Sequence, residues 1–508
     1  MSASLANPTL AAPTLAEGMA EIRATGTLTG LPRDHFIAGR WTPPASGARM
    51  DSADPGRGAP FAAFANGDAE DVDRAVTAAR AAFTGAWGDA SPAERGRVLQ
   101  RMASLLRAEA DRFALVECLD SGKRLSEAQG DVRGVIRAFE YYAGAADKLE
   151  GASLPLGRNY LGFTLDEPVG VCAQVIPWNY PLSTAARGIA PALAAGCAIV
   201  AKPAEQTPFT ALMLAELATR AGLPDGALNV VTGTGARAGA PLVAHPGIHH
   251  ITFTGSVPTG IRVMQAAAEN VTRLVLELGG KSPLVVLADA DLDIALEGVL
   301  EAIYENAGQI CSAGSRLVLE RPIADEFLAR LVARVEKLRL GHGLDAVDVG
   351  PVNSALQLER IDAHVRRAEA AGNGILAGGG IVHPAGAEGG WFFAPTIVLA
   401  RGLDDPIVTE EIFGPVLAVQ IVGDLDEAIH VANATEFALV AGIYTASFDK
   451  AQRFARRVDA GQVYINEYFA GGIEVPFGGN RKSGFGREKG MEGLRSYCRT
   501  KSIVARLR

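Results

Sequence analysis

Residues 169–203 read VGVCAQVIPWNYPLSTAARGIAPALAAGCAIVAKP. Two short apolar runs, 169–176 and 197–201, flank a window of helix formers that opens at Pro181 and stops at Gly196. A short apolar run between chain breakers reads as a strand buried on both faces. Pro in the first turn and Gly after the last is common helix punctuation. The same alternation continues downstream. LNVVTG (228–233) and HHITFTG (249–255) read as further strands, and TPFTALMLAELATRAG (207–222) and PTGIRVMQAAAEN (258–270) as helices. Strand–helix–strand repetition implies parallel strands joined by right-handed crossovers, hence an α/β doubly wound sheet. Ligands of such sheets sit at the carboxyl ends of the strands.

Toward the N-terminus, Asp68 caps a helix with Val72, Val76, Ala79 and Phe83 on one face. Ser91-Pro92-Ala93-Glu94 forms a capping box ahead of a second helix. Residues 1–30 contain no basic or apolar signal-peptide region and read as a mostly loose extension; an ordered arm on a partner subunit is the other reading. A second α/β series begins near SPLVVLADAD (282–291) and runs to about 476, with a boundary near Gly279-Gly280. SIVARL (502–507) is a candidate terminal strand, suited to pairing with another subunit if it finds no partner at home.

The composition is that of a globular chain, with 48% hydrophobic and 21% charged residues. A net charge of −9 argues against a nucleic-acid surface, and no run approaches the ~20 apolar residues of a membrane span. The five cysteines are scattered, odd in number and without a C-x-x-C, which points to a reducing, cytoplasmic setting rather than a disulfide framework. The eight histidines show no metal-ligand spacing, and no metal is expected.

Several short stretches carry polar groups suited to chemistry. ENAGQICSAGSR (305–316) sets Cys311 among small, weakly polar residues, where a substrate and backbone donors can approach the sulfur. VLELGGKSP places Glu277 inside an apolar run before two glycines; desolvation there would raise its pKa and suit it to general-base work, while a carboxylate held by backbone donors is the plainer alternative. PWNYP mounts Asn179 on a rigid loop, as an amide donor or a simple turn. Gly255-Ser256 follows a strand and opens a helix, a fit for pyrophosphate or merely a capped helix start. Lys202 and Glu205 stand at a strand end, where a carboxylate can accept ribose hydroxyls and would repel a 2′-phosphate; taken alone they are equally surface charges. Gly233–Gly239 is one residue too long for the dinucleotide fingerprint.

Seven stretches together resemble the NAD(P)-dependent aldehyde dehydrogenase superfamily: PWNYP (177–181), KPAEQTP (202–208), FTGS (253–256), ELGGKSP (277–283), GQICSAGSR (308–316), EEIFGPV (410–416) and PFGGNRKSGFGRE (476–488). They span roughly residues 30–505 in the family's order. The resemblance implies an aldehyde dehydrogenase-like fold: a Rossmann-like cofactor domain (31–144 and 169–279), an α/β catalytic domain (280–476), and a β oligomerisation arm (145–168 and 490–508) that makes a homodimer or homotetramer. It implies oxidation of an aldehyde to its acid with NAD, and NADP less so. Cys311 matches the nucleophile, Glu277 the general base and Asn179 the oxyanion donor. Ile176, Pro177, Trp178, Lys202, Glu205, Gly235, Phe253, Gly255, Ser256, Leu278, Glu411 and Phe413 match cofactor contacts, and Tyr180, Thr184, Arg187, Glu305 and Phe477 the substrate pocket.

Two departures stand out. Many relatives carry Trp-Lys where this chain has Arg187-Gly188, which removes the lysine assigned to a proton relay with the residue matching Glu488. Glu305 replaces an aromatic at the tunnel entrance. The C-terminal motifs resemble the betaine-aldehyde and amino-aldehyde branch, and Glu305, with Glu117 nearby, would suit a cationic aldehyde. No extra Trp supplies an aromatic cage, and Arg187 instead suits an anionic semialdehyde. Two other classes stay open: a cofactor-independent thiol esterase, and a non-catalytic binding protein on the same fold.

Overall fold

The computed structural model describes residues 14–508. The quoted stretch folds as read: strand Val171–Val175, helix Pro181–Ala195 and strand Ala198–Lys202. Five parallel strands form the middle of an eight-stranded sheet, in the order Leu228–Val230, Ala198–Lys202, Val171–Val175, His250–Thr254, Arg273–Glu277. The chain order of these five is 3-2-1-4-5, so the direction of winding reverses between Val171–Val175 and His250–Thr254. Ala198–Lys202 is buried at every position, as a central strand covered by helices on both faces must be.

The antiparallel strand Gly484–Phe485 closes one edge by pairing with Leu276 and Glu277. The tail beyond the second α/β series therefore returns to the first sheet and fixes the strand end that carries Glu277. A seven-stranded sheet holds the parallel strands Pro283–Val286, Arg316–Glu320, Thr396–Leu399, Val416–Val422, Val440–Tyr444 and Gln462–Ile465, with Gly374–Ala377 antiparallel at its edge. Each sheet is packed by its own apolar clusters.

The expected caps form: Asp68 and Ser91 each complete a capping box. Cys498–Arg506 does find a partner at home, pairing antiparallel with Tyr160–Pro168 over nine residues. Ser153–Leu154 completes this three-stranded arm. One expectation fails. The extension is not loose throughout, because Leu15–Thr25 is a helix with a Thr14–Glu17 capping box, and its Ile22 packs into the main core. Residues 1–13 of that extension lie outside the described residues. No helix among the described residues is long and apolar enough to cross a membrane.

Candidate active site

The reversal of winding opens a crevice at the strand ends. Pro177, Trp178 and Asn179 leave one side, Gly255 and Ser256 the other, and Glu277 ends the next strand, opposite Thr254 in register. Cys311, Glu411 and Phe413 close the crevice from the second sheet's side, around roughly 1090 Å³ of open space.

Cys311 is delivered by a tight turn. Asn306, Ala307 and Gly308 are consecutive left-handed residues, with φ of 47°, 52° and 71°. Such backbone costs about 1–3 kcal/mol per non-glycine residue and persists only where surroundings fix it. Here Asn306 N donates to Glu127 Oε1 (2.9 Å) and Asn306 Nδ2 to Asn179 O (3.1 Å). A Cβ on Gly308 would lie 2.2 Å from Gly414 O, so only glycine fits. Both glycines of ELGGK are likewise spaces: a Cβ on Gly280 would meet Cys311 O at 2.5 Å, and one on Gly279 the Glu411 carboxyl at 2.0 Å. Burial pushes the Cys311 thiol up to about 12, opposed first by the Arg187 charge. The thiol is protonated near neutrality and needs an acceptor.

Glu277 can be that acceptor. It is 2% exposed, and neither carboxyl oxygen has a protein partner among the described residues. Burial lifts its pKa well above the carboxylate range; Glu488 adds to the rise, and Arg187, Arg487 and Lys489 oppose it. A Cβ on Gly478 would fall 2.6 Å from Glu277 Oε1, so the glycine run of the tail makes room for this carboxyl. Asn179 donates one amide N–H to Gln309 O (2.9 Å), which fixes its side chain and leaves the second N–H without a partner among the described residues.

A dinucleotide would find matching groups. Among the described residues, no side chain caps the first-turn amides of helix Val257–Ala268, which starts at Ser256, and the buried Thr254 Oγ1 has no partner. Glu411 accepts from Gly280 N (2.9 Å), and burial pushes its carboxyl up to about 7. Trp178 and Phe413 meet edge to face at 5.2 Å, with Phe413 at φ 58°. Lys202 lies under Gly239 of the turn Gly235–Gly239, with Glu205 3.6 Å away and about a third exposed.

Two expected cofactor residues turn away. Ile176 and Phe253 are buried in the core clusters, so any contact from them falls to the backbone. On the substrate side, Arg187 and Phe477 lie together, and Thr184 is buried. The Lys123 ammonium sits over the Tyr180 ring at 4.0 Å. Glu305 opens on a different hollow, with Asp131 and Glu301. Glu117 is not available to a substrate: it is fully buried, accepts from Thr210 Oγ1 (2.9 Å) and Leu182 N (3.3 Å), and faces Lys123 at 3.7 Å. Sequence reading missed Gln357, Arg360 and His364, which line the crevice from helix Ala355–Ala370. Nothing in that helix's polar pattern distinguishes them from a solvated face.

A crevice at a switch point is where a doubly wound sheet takes its ligand, and here a cysteine from the second α/β unit reaches it. The family model described as the aldehyde dehydrogenase family matches residues 41–503. The chain is 42% identical over 479 residues to a hydroxyisobutyraldehyde dehydrogenase of Mycolicibacterium austroafricanum, covering 94% of each. It is 39% identical to a betaine aldehyde dehydrogenase of Bacillus subtilis, covering 92% of this chain and 96% of the relative. Among solved structures, an indole-3-acetaldehyde dehydrogenase in complex with NAD+ superposes with a TM-score of 0.94 at 38% identity, over 97% of this chain and all of that one. The chain belongs to the aldehyde dehydrogenase family, and its fold is the aldehyde dehydrogenase-like fold.

Proposed function

We propose that the protein oxidises an aldehyde to its carboxylic acid with NAD through a covalent intermediate on Cys311. The observation that carries this reading is the meeting of Cys311, Glu277 and Asn179, from three distant stretches, on one crevice with the Ser256 turn and Glu411. In this mechanism the Cys311 sulfur attacks the carbonyl carbon while its proton passes to Glu277. The oxygen of the resulting thiohemiacetal takes the free Asn179 N–H and the Cys311 backbone N–H. NAD, held by Trp178, Lys202, Glu205, Ser256, Glu411 and Phe413, supplies the hydride acceptor. With its carbonyl hydrogen lost as hydride the thiohemiacetal becomes a thioester, and Glu277 gives the thiol's proton up to solvent; it then removes a proton from water, the water oxygen bonds to the thioester carbon, the C–S bond breaks, and the sulfur takes its proton back from Glu277. The exposed Glu205 carboxylate opposes a 2′-phosphate, so NAD is preferred to NADP.

The named relatives act on three chemically different aldehydes at similar identity, so likeness alone selects no substrate. Thr184 and Arg187 favour a polar one, an amino aldehyde or a semialdehyde; Glu305, which opens on a separate hollow, does not bear on the choice. The arm favours a homodimer or homotetramer, and five free cysteines favour a cytoplasmic setting.

The test is absorbance at 340 nm with NAD and an aldehyde panel. Cys311→Ala should abolish NADH formation. Ester cleavage without NADH from any aldehyde would favour the esterase reading instead.

A further inference from the structure

Each turnover leaves one proton to place. The thiol's proton passes to Glu277, which must lose it before it can deprotonate water. Glu277 is 2% exposed, so that proton has to cross other groups to reach solvent. The charged groups that act most on the Glu277 carboxyl are Glu488, Arg187, Arg487 and Lys489. A guanidinium keeps its proton at any working pH, so neither arginine can carry one onward. Glu488 and Lys489 can.

Backbone pairing gathers these groups. Phe477 and Glu488 exchange two backbone hydrogen bonds, both of 2.8 Å. At the next residue, a Cβ on Gly478 would lie 2.6 Å from Glu277 Oε1. Both carboxyl oxygens of Glu277, and Oε1 of Glu488, are buried without a protein partner among the described residues. These oxygens do not bond one another, so transfer runs through an intervening water or a turn of the side chains. Glu488 is 4% exposed, whereas Lys489 is partly open to solvent. From inside to outside the order is Glu277, Glu488, Lys489.

Lys489 stands on strained backbone. Its φ of 61° and ψ of 173° fall in a region where glycine alone is comfortable, and such strain gathers where a side chain has a task. The Lys489 Nζ is held 5.3 Å from the centre of the Phe477 ring. Burial and the Arg187 charge bring its amine down to about 7, against the pull of Glu488, Cys311 and Glu277. It can therefore take a proton and release it near neutrality. Burial raises Glu488, opposed by Arg187 and Lys489. The other neighbours are occupied: Glu474 is paired with Arg137, Arg487 donates to Gly479 O and Asn480 Oδ1, and burial keeps the Tyr142 and Tyr497 phenols protonated. Helix Pro181–Ala195 has no room for a second base after Arg187, since a Cβ at Gly188 would lie 2.2 Å from Gln174 Nε2.

We propose that Lys489 is the proton exit of the site: the proton taken from Cys311 passes from Glu277 to Glu488, from Glu488 to the Lys489 amine, and from the resulting ammonium to water, with no heavy-atom bond made or broken. This rests on the dehydrogenase reading above. The test uses the full-length protein, NAD and an aldehyde that the wild type oxidises. Lys489→Gly suits the backbone, so Tm should hold or rise. Its first NADH per site should form at close to the wild-type rate, because Glu277 can keep that one proton. Later turnovers should slow about tenfold or more in kcat, with KM for the aldehyde unchanged. Added methylamine should restore turnover in proportion to its free base. Lys489→Arg keeps the charge but cannot shed a proton, and should stay slow. Glu488→Gln should slow turnover as well, and the double variant no further. Wild-type turnover in Lys489→Gly, full activity in Lys489→Arg, or no rescue by methylamine overturns the proposal and leaves the dehydrogenase reading standing. No NADH from the wild type with any aldehyde overturns both.

Discussion

At the scale of single residues, the chemistry depends on protons held at unusual places. Glu277 is a base only when ionised, and burial among apolar strand residues holds it above the carboxylate range. Activity should therefore fall as pH drops through that raised value, well before the ~4 of an ordinary carboxyl. The thiol adds the same sign: with Cys311 up to about 12, more acceptor at higher pH means faster acylation. We expect kcat/KM to climb as pH rises through that raised value, read in a stopped-flow pH series; a profile flat across neutrality would contradict the assigned base. Asn179→Ala should lower kcat roughly 10²–10³-fold, since it removes one oxyanion donor. Cys311 was legible because small residues around a lone thiol have few structural uses, and Gly279 and Gly280 because they precede a carboxylate. For Ile176 and Phe253 the motif gives the position but not what meets the cofactor: both side chains are buried in the core, which leaves the backbone to do so.

At the scale of elements, the strands and helices from 169 to 277 were legible because each apolar run ends at Gly or Pro. The helix Leu15–Thr25 was missed although its signals are local: Thr14 and Glu17 spell a capping box, Leu15, Met19 and Ile22 recur at helical spacing, and Ile22, at 2% exposure, is buried against the main core. Ile22→Ala should cost about 2–4 kcal/mol in urea unfolding; no loss would mean that the helix detaches in solution. A second element is held by charge. Lys123 lies buried between Asp131 and Glu117, whose carboxyl burial lifts to about 7. Lys123→Met leaves two acids buried without their cation and should cost roughly 3–5 kcal/mol, lowering Tm. Unchanged Tm would show that the pair is dispensable. The crevice residues of helix Ala355–Ala370 escaped because periodicity reports which face is apolar, not which polar face a distant sheet will meet.

At the scale of the whole molecule, the arm is built from segments more than 300 residues apart, a pairing that no local pattern predicts. Its strands register Leu161 with Ala505 and Phe163 with Ile503, so Leu161, Phe163, Leu165 and Ile503 share one face. Leu161 and Leu165 are exposed in the single chain. If that face joins copies of the chain, Leu161→Glu with Leu165→Glu should yield a smaller species by light scattering. An unchanged mass would remove the arm from the interface. The alternation of α and β elements and the crevice at the strand ends followed from the sequence. The return of residues 484–485 to the first sheet, which fixes Glu277, did not, because two residues carry no strand signal.

The central claim is that one sulfur carries the acyl group while Glu277 releases it. Glu277→Gln mixed with NAD and an accepted aldehyde, followed at 340 nm and by mass spectrometry of the peptide holding Cys311, tests it directly. The account predicts that NADH stops near one per active site, formed more slowly than by the wild type because Gln cannot take the thiol's proton, with the acyl mass left on Cys311. Steady turnover at the wild-type rate, or a burst with no mass added at Cys311, would contradict it.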